Sequence, residues 1–182
     1  MAEARDDRVD RHLFRQLAAG RASALGELYD RHSVSLFRHA LALTRHREEA
    51  EDLVHVVFMK VVATGETLLG VRKPSSYLHR SLHLAWIDIC RRTALGDRAL
   101  ASGDLSRVEM PIGERSLDLA RALARLPPEQ RAVVVLHVSE GFSFREIGRM
   151  TGVSLFTAAA RYRLAVGKLR AALGAVQDRS TT

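Results

Sequence analysis

Six basic side chains fall within residues 141–173 (Arg145, Arg149, Arg161, Arg163, Lys168 and Arg170) against one acid, Glu146. That density of guanidinium and ammonium groups neutralises phosphates, and Thr157 and Arg161 have the donors to reach base edges. A second basic stretch, residues 72–92, sets Arg72, Lys73, Arg80, Arg91 and Arg92 against Asp88, with Tyr77, His79, His83 and Trp86 interleaved. Cations beside flat rings suit an unstacked base and a single-stranded backbone. Tyr77 and Trp86 serve equally well as core aromatics. Residues 44–66 reverse the sign, with Glu48, Glu49, Glu51, Asp52 and Glu66 against Arg45, Arg47 and Lys60. An acidic helix suits a basic protein surface better than DNA, and it reads equally as a solvated face.

Bond-making chemistry finds little support. The chain has eight histidines but no H-E-x-x-H, no phosphate loop and no G-x-S-x-G. Asp52 and His55 form one D-x-x-H pair, with His39 and His46 on the preceding helix, which is too few carboxylates for a di-metal bundle. Cys90 is the single cysteine, excluding an intrachain disulfide and a cysteine-rich zinc site. No catalysis, metal or cofactor is therefore expected. The net charge of +7 favours an anionic partner, and 47% hydrophobic residues suffice for buried cores. No run of eighteen apolar residues exists, and MAEARDDRVDRHLFRQL has no apolar stretch before a cleavage site. The expectation is no bilayer-spanning segment, no secretory signal and a cytoplasmic location.

The elements that must position these residues are helical throughout. Leu25, Leu28, Tyr29, His32, Leu36, Ala40 and Leu43 recur at three- and four-residue steps, as do Ala50, Leu53, Val54, Val57, Phe58 and Val61. TGETLLGVRKPSS reads as a loop, after which Ser75 or Ser76 can cap a helix carrying Leu78, Leu82, Ala85 and Ile89 and ending at Arg91 and Arg92. The pattern dissolves between Thr93 and Ser116 and returns with Leu119, Ala122, Leu123 and Leu126. Pro127-Pro128 then stops one helix and starts another. Two small helical domains joined by a flexible linker result: residues 8–93, linker 94–116, and residues 117–174.

The C-terminal module carries a helix-turn-helix. Ser143 and Glu146 have capping-box spacing, Gly152 supplies a tight turn, and Ser154 caps a second helix. Ala158, Tyr162, Ala165, Leu169 and Ala172 form that helix's inward stripe. Thr157, Arg161, Leu164 and Lys168 fall on another side, with Phe156, Arg163 and Arg170 between, the layout of a helix that enters the major groove.

LARLPPEQRAVVVLHVSEGFSFREIGRMTGVS, joined to the upstream EEAEDLVHVVFMKV, resembles regions four and two of extracytoplasmic-function sigma factors. The L-P-x-x-x-R-x-V opening, the G-x-S/T-x-x-E-I-A helix and the E-D-L-V-x-x-x-F helix carry the resemblance, which covers about residues 20–93 and 117–173. It implies an alternative sigma factor that directs bacterial RNA polymerase to particular promoters. Residues 50–61 would dock on the clamp helices of the largest subunit, through Glu51, Asp52, His55, Val56 and Met59. Residues 64–92 would open and read the −10 element through Arg72, Lys73, Tyr77, His79, Arg80, His83, Arg91 and Arg92. Residues 130–173 would touch the polymerase flap and read the −35 element through Ser154, Phe156, Thr157, Arg161, Arg163 and Lys168, while the linker threads near the RNA exit path. An anti-sigma factor is the further partner implied. Departures from the pattern fall at His55 and Val56, where a glutamine and an acid are usual, and at Leu84, Ala159 and Leu164. A stand-alone helix-turn-helix regulator and a degenerate sigma mimic that binds only proteins are the alternatives.

Overall fold

A computed structural model describes residues 7–96 and 114–179 of the chain. Helices α1 (Asp7–Ala18), α2 (Ser23–Thr44), α3 (Arg47–Thr64) and α4 (Pro74–Gly96) form the N-terminal module. Helices α5 (Glu114–Ala124), α6 (Pro128–Val134, continued by a π turn at Val135–Ser139), α7 (Phe144–Thr151) and α8 (Leu155–Arg179) form the C-terminal one. Among the described residues there is no strand. Helix reaches past the expected linker boundaries on both sides, to Gly96 and back to Glu114. The rest of the linker, including its expected path beside exiting RNA, lies outside the described residues.

The N-terminal core follows the apolar spacing. Leu28, Leu36, Ala40 and Leu43 of α2 meet Leu53, Val54, Val57, Phe58 and Val61 of α3, with Leu78 and Leu82 of α4 closing the bundle. Each fully buried leucine contributes about 1.5–3 kcal/mol relative to an exposed one. Arg45 adopts a left-handed conformation (φ 67°) and its N–H bonds the Leu41 carbonyl, which ends α2. α1 is tied to α2 by Asp10, wholly buried, whose carboxylate accepts from Arg31 Nε at 2.8 Å and meets His32 Nε2 at 2.9 Å. Burial opposes ionisation of Asp10, but the hydrogen bonds and charges of His32 and Arg31 outweigh it and hold its carboxyl below the ordinary value.

The segment expected as a loop contains a six-residue 3-10 helix, Gly65–Gly70, anchored by buried Leu68. α4 begins at Pro74 rather than after a serine cap, because a proline's fixed φ and missing N–H suit a first helical position. Ser75 is instead buried within the first turn. Although no unbroken apolar run exists, Arg47–Gly70 is long and apolar enough by composition to count as a candidate membrane span. Its conformation changes at Gly65, and its Leu53, Val54, Val57, Phe58 and Val61 form the core of the bundle.

The C-terminal module has smaller cores. Val133, Leu136, Phe142, Ile147, Met150 and Ala158 form one; Leu126, Val134 and Ala165 form another beneath α8. Both capping-box hydrogen bonds between Ser143 and Glu146 are present, and Gly152 takes the left-handed conformation (φ 74°) as the turn requires. Gly148 brings α7 against the start of α8 so closely that a Cβ there would lie 2.7 Å from the Val153 carbonyl.

The two modules pack together, α2 against α6 and α4 against α7. Ala132 of α6 sits within the N-terminal core. Beside it, buried Arg131 donates to the carbonyls of Ala42 and Leu43 at the end of α2, and of Leu123, Ala124 and Leu126 at the end of α5. One guanidinium thus neutralises the negative ends of two helices from different modules.

Candidate nucleic-acid interface

The sequence-predicted DNA-reading face of α8 has the expected exposure. Ser154 caps the helix, its Oγ accepting from the Thr157 N–H at 3.0 Å and pairing with Thr157 Oγ1 at 2.9 Å. Phe156 is 77% exposed, an unusual position for a large aromatic unless something covers it. Thr157, Arg163, Leu164 and Lys168 are exposed, and Arg161 is half-buried. Ala158 and Ala165 are fully buried and Tyr162 and Leu169 partly so, as the inward stripe predicts.

The face predicted to meet polymerase is equally clear. Along α3, Glu51, Asp52, His55, Val56 and Met59 are all exposed, while the intervening Leu53, Val54, Val57 and Phe58 are buried. Val62, which the sequence reading did not single out, extends this face. Acids therefore occupy the first turns and an apolar patch of Val56, Met59 and Val62 the later ones. Glu51 is paired with Arg47 at 2.8 Å.

The residues predicted for the −10 element divide. Arg72, Lys73, Arg80, Arg91 and Arg92 are exposed, with Arg91 3.9 Å from Asp88. Tyr77 packs against the N-terminal core, edge-on to Phe14, its hydroxyl 3.3 Å from Thr64 Oγ1, and Trp86 packs against the same core. His79 and His83 are buried. They form a cluster with His39: His39 Nδ1 and His79 Nδ1 share a hydrogen bond of 3.1 Å, and the His39 and His83 rings stack. Burial, reinforced by His83, pushes His39 down to about 3. His83 falls to about 4, through burial and then the field of Arg161, against an opposing contribution from Glu129. Both imidazoles are therefore neutral at neutral pH, and His39 Nε2 and His83 Nδ1 are buried without a hydrogen-bond partner among the described residues.

The C-terminal module covers this cluster. Phe142 stands edge-on to His79 with centroids 5.0 Å apart. Glu140, buried, accepts from Arg38 Nε at 2.8 Å and from the Ser35 hydroxyl, which also contacts His79 Nε2 at 3.1 Å. Lys73 reaches Glu146 at 2.6 Å, and Arg80 donates to the Arg149 carbonyl. Sequence reasoning missed Ser35, Arg38 and Glu140 because only the packing of distant segments brings them together. No group of three or more His, Cys, Asp or Glu with metal-binding geometry occurs among the described residues.

Residues 28–95 match the family described as Sigma-70 region 2, and residues 116–169 the family described as Sigma-70 region 4. The chain is 31% identical over 176 residues to the ECF RNA polymerase sigma factor SigM of Mycobacterium tuberculosis strain H37Rv, covering 93% of this chain and 87% of that protein. This protein belongs to the ECF sigma factor family. The sigma factor is also 30% identical to SigL of M. tuberculosis strain Erdman, over 86% of this chain and 92% of that one. CnrH, solved in complex with the cytosolic domain of CnrY, is similar in structure at a TM-score of 0.65 and 26% identity. That match covers 92% of this chain and 98% of CnrH, so it spans both sigma regions. As a sigma factor, the protein is a transcription initiation factor that directs RNA polymerase to promoters.

Proposed function

We propose that this sigma factor divides its work between the two modules along the lines the exposed faces suggest. The outer face of α3, through Glu51, Asp52, His55, Val56 and Met59, docks on core polymerase. Acids next to an exposed apolar patch complement a basic protein surface better than DNA, and this face carries the proposal. Residues 64–92 act on the −10 element, with Arg72, Lys73 and Arg80 on the backbone. On α8, Ser154, Phe156, Thr157 and Arg161 address −35 base edges, while Arg163 and Lys168 hold phosphates. The domain division follows as 8–93 and 117–174, and the protein works in the cytoplasm, where polymerase and promoter are.

Lys73 and Arg80 of the −10 set are held against α7 by Glu146 and the Arg149 carbonyl, and Arg161 lies close enough to His83 to lower its pKa. Promoter elements separated along DNA cannot be engaged together in that arrangement, so the modules part on assembly with polymerase. An anti-sigma factor is the partner that would hold them closed. CnrH was captured with the cytosolic domain of CnrY, so a chain of this fold bound by a protein partner has a precedent.

The test is a pull-down with purified core polymerase followed by run-off transcription on genomic fragments. Polymerase binding with new transcripts is expected. Asp52→Lys should weaken polymerase binding with little loss of fold; wild-type binding would mean that α3 faces solvent. Arg161→Ala should weaken −35 binding by about 1–3 kcal/mol. DNA affinity without polymerase binding would favour a stand-alone regulator.

A further inference from the structure

On α8 an exposed apolar stripe runs between the cations. Phe156 is 77% exposed and Leu164 58%, on one side of the helix with the short Ala160 between them. Arg163 and Arg170 border the stripe on one edge and Lys168 on the other, all three exposed. We propose that Phe156 and Leu164 are specificity-determining residues that read the C5 methyl groups of thymines in the major groove. The proposal rests on α8 being the helix that meets the −35 element, and it names the feature of that element which α8 selects.

Both side chains are exposed because the opposite side of α8 is committed. Ala158 and Ala165 are fully buried, and Tyr162 and Leu169 pack partly buried against the two C-terminal cores. Ser154 fixes where the helix begins, its Oγ accepting from the Thr157 N–H at 3.0 Å. Gly148 lets α7 lie against the Val153–Leu155 backbone, so the start of α8 is held in place. Phe156 then stands out from the first turn and Leu164 from the third, and Ala160 is too short to keep a ligand away from either. Large apolar side chains grouped on a surface mark a place that something covers.

The flanking charge selects the occupant. No acid occurs in residues 147–177, and cations stand on both edges of the stripe. A major groove is enclosed in the complementary way, by a phosphate wall on each side with base edges on the floor between. A protein partner would have to present an apolar ridge with acids along both margins. On the groove floor adenine, guanine and cytosine offer only hydrogen-bond donors and acceptors, whereas thymine adds a methyl group to its O4 acceptor. Phe156 and Leu164 can neither donate nor accept, so against the other three bases they strip water from polar groups and return nothing. Against thymine they bury a methyl. The length of helix from one side chain to the other is about 12 Å. The two methyls therefore lie within about four base pairs of each other.

The experiment begins by enriching duplexes from a randomised pool with the full chain. Fluorescence anisotropy then follows the enriched duplex with each thymine replaced in turn by deoxyuridine, which removes the C5 methyl and keeps every hydrogen bond. Replacement at two positions within about four base pairs should weaken binding about fourfold each, the loss of one buried methyl. Phe156→Ala should abolish that sensitivity at one position and Leu164→Ala at the other, with the log–log salt slope unchanged. Both side chains are exposed, so neither substitution removes a core contact. Arg163→Gln should weaken the thymine and uracil duplexes alike and lower the salt slope by about 1. Equal binding of the two duplexes by the unsubstituted chain, or methyl sensitivity that survives both alanine substitutions, would overturn the inference and leave a protein partner as what covers the stripe. The −35 reading stands in that case, because a duplex was still enriched. Failure to enrich any duplex would overturn the −35 reading and the methyl readout together.

Discussion

Lys73 and Glu146, in different modules and distant in the chain, meet at 2.6 Å across the packed interface. Glu146 is also the capping-box acid of the helix-turn-helix, so one carboxylate serves both the fold of α7 and the contact between modules. Burial opposes its ionisation, but hydrogen bonds from Lys73 and Ser143 outweigh it and carry the carboxyl to about 2. The pair's contribution is therefore present above the ordinary carboxylate value of 4.5 and lost as pH falls from there toward 2.

Glu146→Gln should keep the cap, since glutamine serves at that position, and remove the charge. An exposed pair of this kind contributes about 0.5–1 kcal/mol, so separation of the modules should become about two- to fivefold more favourable. Energy transfer between dyes on α3 and the far end of α8 reads that change. Unaltered transfer would mean the pair does nothing to hold the modules together.

His39 and His83 make the closed packing pH-dependent. Their pKa values lie near 3 and 4 in the packed state, against an ordinary value of 6.5. Packing stability is therefore full above pH 6.5 and falls as pH drops toward 4, because separated modules take up protons that the packed state refuses. Between pH 7.5 and 5.5 each histidine should shift the equilibrium toward separation by about tenfold if opening returns it to solvent. Trp86, whose ring lies 5.5 Å from His83, reports the change by fluorescence, and His83→Gln should remove one decade of it. A flat profile over that range would show that the imidazoles stay buried when the modules part.

Arg131→Met should destabilise the chain by about 2–4 kcal/mol, by stranding buried carbonyls that a charged donor now satisfies. Burial, followed by the charge of Arg45, lowers this guanidinium to about 10, so it is fully charged at neutral pH. Urea denaturation measures the loss, and a change below about 0.5 kcal/mol would assign the motif arginine no structural role.

Gly148→Ala should cost about 1–3 kcal/mol, since its Cβ meets the Val153 backbone, which cannot swing aside as a side chain can. The melting temperature should fall and −35 binding with it. An unchanged melting temperature would mean that the turn between α7 and α8 can open.

Local physics made much of this protein legible in its sequence. Apolar residues at helical steps fix which side of α2, α3 and α8 is buried, because a helix must hide one stripe whatever it packs against. The capping box at Ser143 and Glu146 and the left-handed turn at Gly152 follow from backbone groups within a few residues. The exposed acids of α3 and the cations of α8 were visible as the complement of those buried stripes. The 65–70 helix was not, because buried Leu68 anchors it through contacts from α1.

Tertiary structure decided the rest. His79 and His83 have the residue types of a base-reading face, yet they are buried, because Phe142 and Glu140 arrive from a segment whose position no local rule specifies. Arg131 belongs to a sequence motif, but its partners are carbonyls at the ends of α2 and α5, groups every residue carries and no sequence marks. The placing of α1 likewise depends on the buried contacts of Asp10 with Arg31 and His32, which tie one helix to another. Periodicity tells a helix which side to bury; long-range packing alone determines what covers it.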